Sequence, residues 1–242
     1  MATRAKEKIG QNVNLLGEVV LGNGEADHRY HHYLEALESP DINYISVKIS
    51  GIYAQTHALN YEESFPELVS RMSALYQKAI DFPYTDEEGV RRSKFINLDM
   101  EEYKDTHFTL RLFKTVLSLP QFKNYSAGIV VQAYLPDAYD FQTELIEFAK
   151  ARVAEGGAPI KMRLVKGCNL EMETVISSLR GWPNPIRPSK EEVDANYLHL
   201  LERALMPENA RVLHLGVASH NLFSIAYALS LIHISEPTRP RL

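Results

Sequence analysis

Short apolar runs alternate with longer amphipathic runs along this chain of 242 residues. The apolar runs have the length of strands and span residues 13–16, 44–49, 95–98, 128–133, 160–165 and 212–217. The amphipathic runs have helical periodicity and span residues 26–37, 65–80, 107–117, 140–154, 171–179 and 191–205. Strands that alternate with helices form βα units around a parallel sheet. This order predicts an α/β protein.

Polar or charged residues stand at or just past the end of every predicted strand. They are Glu18, Lys48, Asp99, Gln132, Lys166 and the run Ser219-His220-Asn221. In a (β/α)₈ barrel the carboxyl ends of all strands build the active site, whereas an open doubly wound sheet binds ligands only beside a switch point. No Gly-x-Gly-x-x-Gly follows the first strand, which argues against a dinucleotide fold. The pattern therefore favours a barrel, of which about six βα units are present.

The fifth predicted strand carries a charge in its middle. Ile160, Met162 and Leu164 fall on one face of this strand, and Lys161 and Arg163 fall on the other. A buried guanidinium costs free energy unless an anion or a strong acceptor meets it. We therefore expect this strand to contribute to a ligand site.

The composition is that of an ordinary globular domain and narrows the possible partners. The net charge is −5 without a Lys/Arg block, which argues against a nucleic-acid partner. The single cysteine excludes an intrachain disulfide and fits a reducing compartment. His28, His31 and His32 fall at helical spacing, but matching metal ligands do not accompany them, so we expect a solvated helix face and no metal site.

Seven short motifs fall at the predicted strand ends and in the last predicted helix. They are Leu16-Gly17-Glu18, Ser46-Val47-Lys48-Ile49-Ser50, Asn97-Leu98-Asp99-Met100-Glu101-Glu102, Val131-Gln132-Ala133-Tyr134, Met162-Arg163-Leu164-Val165-Lys166-Gly167, Asp194-Ala195-Asn196-Tyr197 and Ala218-Ser219-His220-Asn221. With these motifs in this order, the chain resembles the flavin-dependent proline dehydrogenase family. The resemblance is strongest to the form that occupies the N-terminal half of a bifunctional enzyme, ahead of a glutamate-semialdehyde (pyrroline-5-carboxylate) dehydrogenase.

The resemblance implies a distorted (β/α)₈ barrel, incomplete in this chain, that binds FAD at the carboxyl ends of its strands. It implies oxidation of L-proline to 1-pyrroline-5-carboxylate by hydride transfer to flavin N5, the first step of proline catabolism to glutamate. The reduced flavin then passes its electrons to a quinone or a membrane acceptor. The implied location is the bacterial cytoplasm, with peripheral membrane association left open.

The resemblance also assigns roles to single residues. The implied flavin contacts are Arg163 near N5, Gln132 at the isoalloxazine ring, Val165, Lys166 and Gly167 at the ribityl and pyrophosphate groups, and His220 and Asn221 in the last motif. On the substrate side, Lys48 is the implied partner of proline's carboxylate, with Asp99 beside it, and Glu18 is the acid that closes the site. The implied catalytic residues are thus Lys48, Asp99 and Arg163.

Simpler roles remain open for several residues of these motifs. Lys48 taken alone is typical of an edge or snorkelling lysine, and Gln132 is equally typical of a satisfied core amide. Asn221 is also suited to capping a helix. Glu101 or Glu102 is suited to a helix N-terminus, where a negative charge is favourable.

The end of the chain departs from the family. Residues 229–239 resemble the translation of a transposon adapter used in sequencing libraries, so we expect the natural sequence to stop near Ala228. The expected domains are a partial proline dehydrogenase barrel at 11–228 and an artefactual tail at 229–242. The family's last strands, and the helix whose paired arginines bind proline's carboxylate, are then missing. The alternative to an active enzyme is therefore a catalytically inactive flavin-binding fragment.

Overall fold

Helices and parallel strands alternate through the part of the chain that the structure describes. This computed structural model describes residues 10–15, 20, 22–54, 56 and 58–235. By its internal contacts the chain divides into two units, Met1–Ile129 and Val130–Leu242. The strand β6 (Gly128–Gln132) begins in the first unit and ends in the second.

The first unit is built from short parallel strands and the helices that connect them. Its elements are β1 (Val13–Asn14), α1 (Asn23–Glu38), β2 (Tyr44–Val47), α2 (Ile49–Ile52), α3 (Tyr61–Asp81), β3 (Tyr84–Thr85), β4 (Arg91–Arg92), β5 (Phe95–Leu98), α4 (Thr106–Leu117) and the start of β6. The parallel strands are neighbours in the order β1-β2-β5-β6, and β3 and β4 form a separate antiparallel hairpin. Helix α3 packs against α4 and β5. Its side chains Leu68, Met72 and Leu75 are fully buried, so this helix supplies much of the unit's core.

The second unit repeats the pattern. Its elements are the end of β6, α5 (Ala138–Ala154), β7 (Ile160–Val165), α6 (Leu170–Arg180), α7 (Lys190–Ala204), α8 (Pro207–Ala210), β8 (Leu213–Val217) and α9 (Leu222–Ser235). The strands are neighbours in the order β6-β7-β8, and β7 and β8 are parallel. Ile160, Met162 and Leu164 are fully buried, and α7 packs against both β7 and β8. This confirms the predicted alternation of faces along β7.

Local sequence signals set the ends of α6 and α7. The Ser189 side chain accepts a hydrogen bond from the Glu192 amide at 3.2 Å, so Ser189 is the N-terminal cap of α7. Helix α6 ends at Gly181, whose φ of 63° lies in the left-handed region that glycine adopts without steric cost. The segment 182–188 is therefore a loop between two defined caps.

The predicted α/β class is confirmed, and β5 and β7 have the predicted bounds. The predicted strand at 44–49 is too long, because the Gly51 amide donates to the Lys48 carbonyl at 3.0 Å and closes the first turn of α2. The hairpin of β3 and β4 was not predicted, since each of its strands has only two residues. Helix α9 continues past Ala228, and the expected domain boundary there stays a prediction. Among the helices that the structure describes, none is both long and apolar enough to cross a bilayer.

Gly128 leaves no room for a side chain where β6 pairs with β5. A Cβ there would lie 2.5 Å from Asn97 Oδ1 and 3.0 Å from the Phe95 ring. We predict that Gly128→Ala lowers the free energy of unfolding by about 1–3 kcal/mol, because these neighbours must move. Denaturant unfolding measures the change. The control is Gly24→Ala in α1, where nothing lies within 4 Å of the new Cβ; an equal loss in both variants would contradict the packing argument.

Candidate active site

Lys48 and Asp99 lie at the ends of neighbouring strands in the first unit. Lys48 follows β2 and stands at the N-terminus of α2, and Asp99 follows β5. The Asp99 amide donates to the Val47 carbonyl at 2.8 Å, which extends the pairing of the two strands to these residues. Lys48 is half-buried and Asp99 is buried. The structure therefore brings these two predicted site residues to adjacent positions on one strand edge.

Side-chain amides hold the Asp99 carboxylate. Asn97 Nδ2 donates to one carboxylate oxygen at 2.8 Å, and Asn14 Nδ2 lies 3.5 Å from the other. Asn97 is itself fully buried. Because buried hydrogen bonds fix the orientation of the carboxylate, Asp99 is suited to organising the site.

The structure separates the roles of two neighbouring acids. The Glu101 carboxylate accepts from the Ser50 hydroxyl at 2.6 Å and from the Ser50 amide at 3.2 Å, so it serves the β2–α2 turn. Burial raises the pKa of Glu101, while the hydrogen bonds from Ser50 and the charge of Lys48 act in the opposite direction. Glu102 instead stands at the N-terminus of a short 3₁₀ helix and pairs with Lys104 at 2.8 Å. The helix-terminus interpretation therefore applies to Glu102 and not to Glu101.

Arg163, in the middle of β7, is half-buried, and its predicted place beside a ligand stays a prediction. In the parallel register it lies opposite Gly216 of β8, which has no side chain to cover it. A Cβ on Gly216 would lie 3.2 Å from Lys161 Cε and 3.7 Å from Arg163 Cβ. Burial, and then the charge of Arg163, lower the pKa of Lys161 on the same face. The absence of a side chain on Gly216 therefore lets the Lys161 side chain lie close to β8.

Asp194, in the first turns of α7, bridges two lysines. Its oxygens accept from Lys166 Nζ at 2.5 Å and from Lys190 Nζ at 2.6 Å. Hydrogen bonds from Lys166 and then Lys190 lower the pKa of Asp194. The Lys166 ammonium also lies 5.5 Å from the centre of the Tyr197 ring. Lys166 is therefore held in one direction by a carboxylate and an aromatic ring.

A cavity of about 220 Å³ lies beside Lys166 in the second unit. Its wall includes Tyr134, Lys166, Gly167, Arg187, Lys190 and Asp194. Three of these side chains are cations, and Arg187 Nε is buried without a hydrogen-bond partner among the residues that the structure describes. Gly167 has a φ of 144°, and a Cβ on it would lie 2.4 Å from the Tyr134 ring. The cavity therefore has the donors that a phosphate group requires.

The motif at 194–197 ties strand ends to α7. Asn196 Nδ2 donates to the Ala133 carbonyl at 2.8 Å, just past β6, and the Tyr197 hydroxyl donates to the Ala218 carbonyl at 3.3 Å, just past β8. Together with the Asp194 contact to Lys166, just past β7, these form what we name the α7 clamp.

Sequence reasoning found this motif but gave its residues no role. Helical spacing shows that Asp194, Asn196 and Tyr197 share the start of a helix. Helical spacing does not show the partners of these side chains, since two of the partners are backbone carbonyls that are distant in sequence. The one available signal was Ser189 followed by Glu192, a pattern that marks where a helix starts but not what it contacts.

The other predicted cofactor residues lie in mixed environments. Gln132, the last residue of β6, is buried, which leaves both of its interpretations open. His220 is exposed. Asn221 Oδ1 accepts from the amides of Phe223 and Ser224 at 2.9 and 3.1 Å, so it caps α9, as one of its interpretations proposed.

Three further predictions have different outcomes. The Val165 carbonyl accepts from the Ala133 amide at 2.9 Å, which places Val165 beside the end of β6. Glu18, the predicted gate, lies outside the described residues together with the rest of 16–18. His28, His31 and His32 are exposed on α1, which confirms the solvated helix face.

Nearly the whole chain matches the model of a known protein family. The family model described as proline dehydrogenase matches residues 1–240. Because this match covers nearly the full length, the chain belongs to the proline dehydrogenase family, as the seven motifs predicted.

Solved structures of proline utilization A (PutA) share the fold. PutA from Corynebacterium freiburgense is 45% identical, with a TM-score of 0.87, over 95% of this chain and 23% of its own. PutA from Bdellovibrio bacteriovorus is 32% identical, with a TM-score of 0.83, over 96% of this chain and 25% of its own. Human mitochondrial proline dehydrogenase 1 is 30% identical over 173 residues, which are 69% of this chain and 26% of that protein. The chain thus spans about a quarter of the length of these relatives.

The raised pKa of Glu101 predicts a response of stability to pH. A carboxyl whose pKa is raised on folding stabilises the folded state. This contribution is complete when the pH is below the pKa of the unfolded state, near 4.5, and it is lost as the pH rises through the pKa of the folded state. Relative to Glu101→Gln, which stays neutral, the wild-type chain should therefore be most stable in acid. Thermal unfolding from about pH 4 to about pH 8 measures the difference. Glu102→Gln is the matched control, and the same trend in both variants would contradict the assignment.

Proposed function

We infer that this chain is the proline-oxidising part of a larger enzyme that uses FAD to convert L-proline to 1-pyrroline-5-carboxylate. Membership of the family and 45% identity to a PutA support this activity. The observation that carries the inference is the set of charged groups at the strand ends. Lys48 and Asp99 end strands of the first unit, and Lys166 and the cavity beside it follow a strand of the second.

The second unit has groups suited to FAD. We assign the cavity beside Lys166 to the cofactor's phosphates, because it gathers cations and the buried Arg187 Nε, which has no partner among the described residues. The remaining flavin contacts that we propose are Arg163 at N5, Gln132 at the ring, Val165 and Gly167 at the ribityl chain and pyrophosphate, and His220 and Asn221 after β8.

The residues of the chain have separate tasks in this reaction. FAD, when bound, supplies the hydride acceptor. Lys48 binds the carboxylate of L-proline through its ammonium group. Asp99, oriented by Asn97, organises the surroundings of the substrate amine. Arg163 stabilises the negative charge that appears at the cofactor, and Glu18 closes the substrate site.

The proposal extends to partners of the intact enzyme. A quinone or a membrane acceptor takes the electrons, and an aldehyde dehydrogenase domain on the parent chain takes the product. The proposed location is the bacterial cytoplasm, with peripheral contact to the membrane where the acceptor lies. The likeness to two PutA structures supports this arrangement of a longer chain.

Anaerobic flavin reduction tests the function. The 242-residue chain is purified, loaded with FAD and mixed with L-proline, with D-proline as the control. The proposed activity predicts loss of the visible flavin absorbance with the L enantiomer alone. If the chain binds FAD but L-proline does not reduce that FAD, the chain is the alternative, a catalytically inactive flavin-binding fragment. A chain that binds no FAD contradicts the cofactor assignment.

The cavity assignment predicts the effect of losing one cation. Lys166→Met should raise the FAD dissociation constant about 10–150-fold, since a hydrogen bond to a charged group contributes about 1.5–3 kcal/mol. Quenching of FAD fluorescence measures the affinity. Arg211→Met removes an exposed cation of the same unit and is the control. Wild-type affinity in Lys166→Met would refute the assignment of this cavity to the phosphates.

A further inference from the structure

An acid from a neighbouring strand end holds the turn that carries Lys48. Ser50, in the first turn of α2, donates its hydroxyl and its amide to the Glu101 carboxylate, at 2.6 and 3.2 Å. The contact joins residues 51 positions apart in the chain. Because both Ser50 donors bind one carboxylate, the start of α2 cannot shift relative to the end of β5 without breaking both hydrogen bonds.

Contacts from α1 hold the same turn from another side. A Cβ on Gly51 would lie 3.2 Å from the Tyr33 hydroxyl, so the Tyr33 side chain packs directly against the turn. Burial raises the pKa of Tyr33 to about 12, while a hydrogen bond with the Lys48 backbone lowers it. The Gly51 amide donates to the Lys48 carbonyl at 3.0 Å. These contacts therefore hold the backbone of Lys48 in place, which limits where its side chain can reach.

The charge of Glu101 also reaches Lys48. Lys48 is near enough to lower the pKa of Glu101, although burial raises that pKa and the charge of Asp105 raises it further. A half-buried carboxylate held by neutral donors draws an ammonium group toward its side of the strand edge. Glu101 therefore acts on the Lys48 side chain in two ways: it holds the Ser50 turn that carries Lys48, and its charge attracts the Lys48 ammonium group.

We propose that Glu101 is a positioning residue, which holds the Ser50 turn so that Lys48 meets the carboxylate of an amino-acid substrate. This rests on the proposed function, in which Lys48 binds that carboxylate. Glu101 does not touch the substrate in this role. It sets how tightly the carboxylate is bound and leaves the oxidation step to other groups.

Protection of Lys48 from acylation tests the proposal without requiring turnover. The FAD-loaded 242-residue chain is treated with a limiting amount of an acetyl N-hydroxysuccinimide ester, and modification of Lys48 is read by mass spectrometry. L-proline should protect Lys48 in the wild-type chain. Glu101→Gln and Ser50→Ala should each need about 5–10-fold more L-proline for the same protection, as expected for one lost hydrogen bond.

Three further variants separate contact from charge. Glu101→Asp keeps the charge but is one methylene shorter, so it should behave like Glu101→Gln. The double variant of Glu101→Gln and Ser50→Ala should be no weaker than either single variant, because both remove one interaction. Glu102→Gln removes the adjacent negative charge and should keep wild-type protection.

Each remaining outcome decides the question. Equal protection in the wild-type chain and in Glu101→Gln overturns the proposal, as does equal weakening in Glu102→Gln. No protection of the wild-type chain also overturns it, because Lys48 then binds no carboxylate; flavin reduction by L-proline in that same sample would show that the proposed function still stands. Protection of Lys48 without flavin reduction keeps the positioning role of Glu101 and contradicts the proposed oxidation of L-proline.

Discussion

The α7 clamp is the interaction on which the rest of the second unit depends. Asp194, Asn196 and Tyr197 reach from the start of α7 to residues just past β7, β6 and β8. Parallel strands end at one edge of a sheet, so a helix that contacts all three ends fixes their relative positions. Each neutral hydrogen bond adds only about 0.5–1.5 kcal/mol of net stability. The clamp is therefore more important for geometry than for total stability.

The clamp also governs where positive charge is available. Asp194 binds Lys166 and Lys190, whereas Arg187 Nε is buried and has no partner in the described part of the chain. An anion that enters the cavity meets cations whose positions are already fixed, which lowers the cost of binding. The first unit uses acids for the complementary task, since Asp99 and Glu101 lie at the strand ends around the Lys48 turn.

The sequence was sufficient to predict β5 and β7 with their bounds and to place Lys48 and Asp99 at or just past strand ends. Strand β7 is recognisable because apolar and charged residues alternate along it. Lys48 and Asp99 are recognisable because they follow short apolar runs. The surroundings of Arg163 could not be predicted, because its partner in the register, Gly216, is distant in sequence and becomes its neighbour only through strand pairing.

The clamp and the Glu101 contact were beyond sequence reasoning for a related reason. Asn196 and Tyr197 bind backbone carbonyls, which every residue possesses and no sequence pattern marks. Glu101 was open to a local explanation at a helix terminus, whereas its actual partner, Ser50, lies 51 residues away in the first turn of α2. The catalytic and cofactor-binding roles of all the predicted site residues, including Gln132, His220 and Glu18, stay predictions.

The FAD dissociation constant of Asn196→Ala tests the central claim most directly. Asn196 is assigned no contact with the cofactor, and its amide donates to the Ala133 carbonyl. If the α7 clamp positions the strand ends for the flavin, this variant should bind FAD about 5–10-fold more weakly than the wild-type chain at a temperature where both are folded. Unchanged FAD affinity in folded Asn196→Ala would contradict the account.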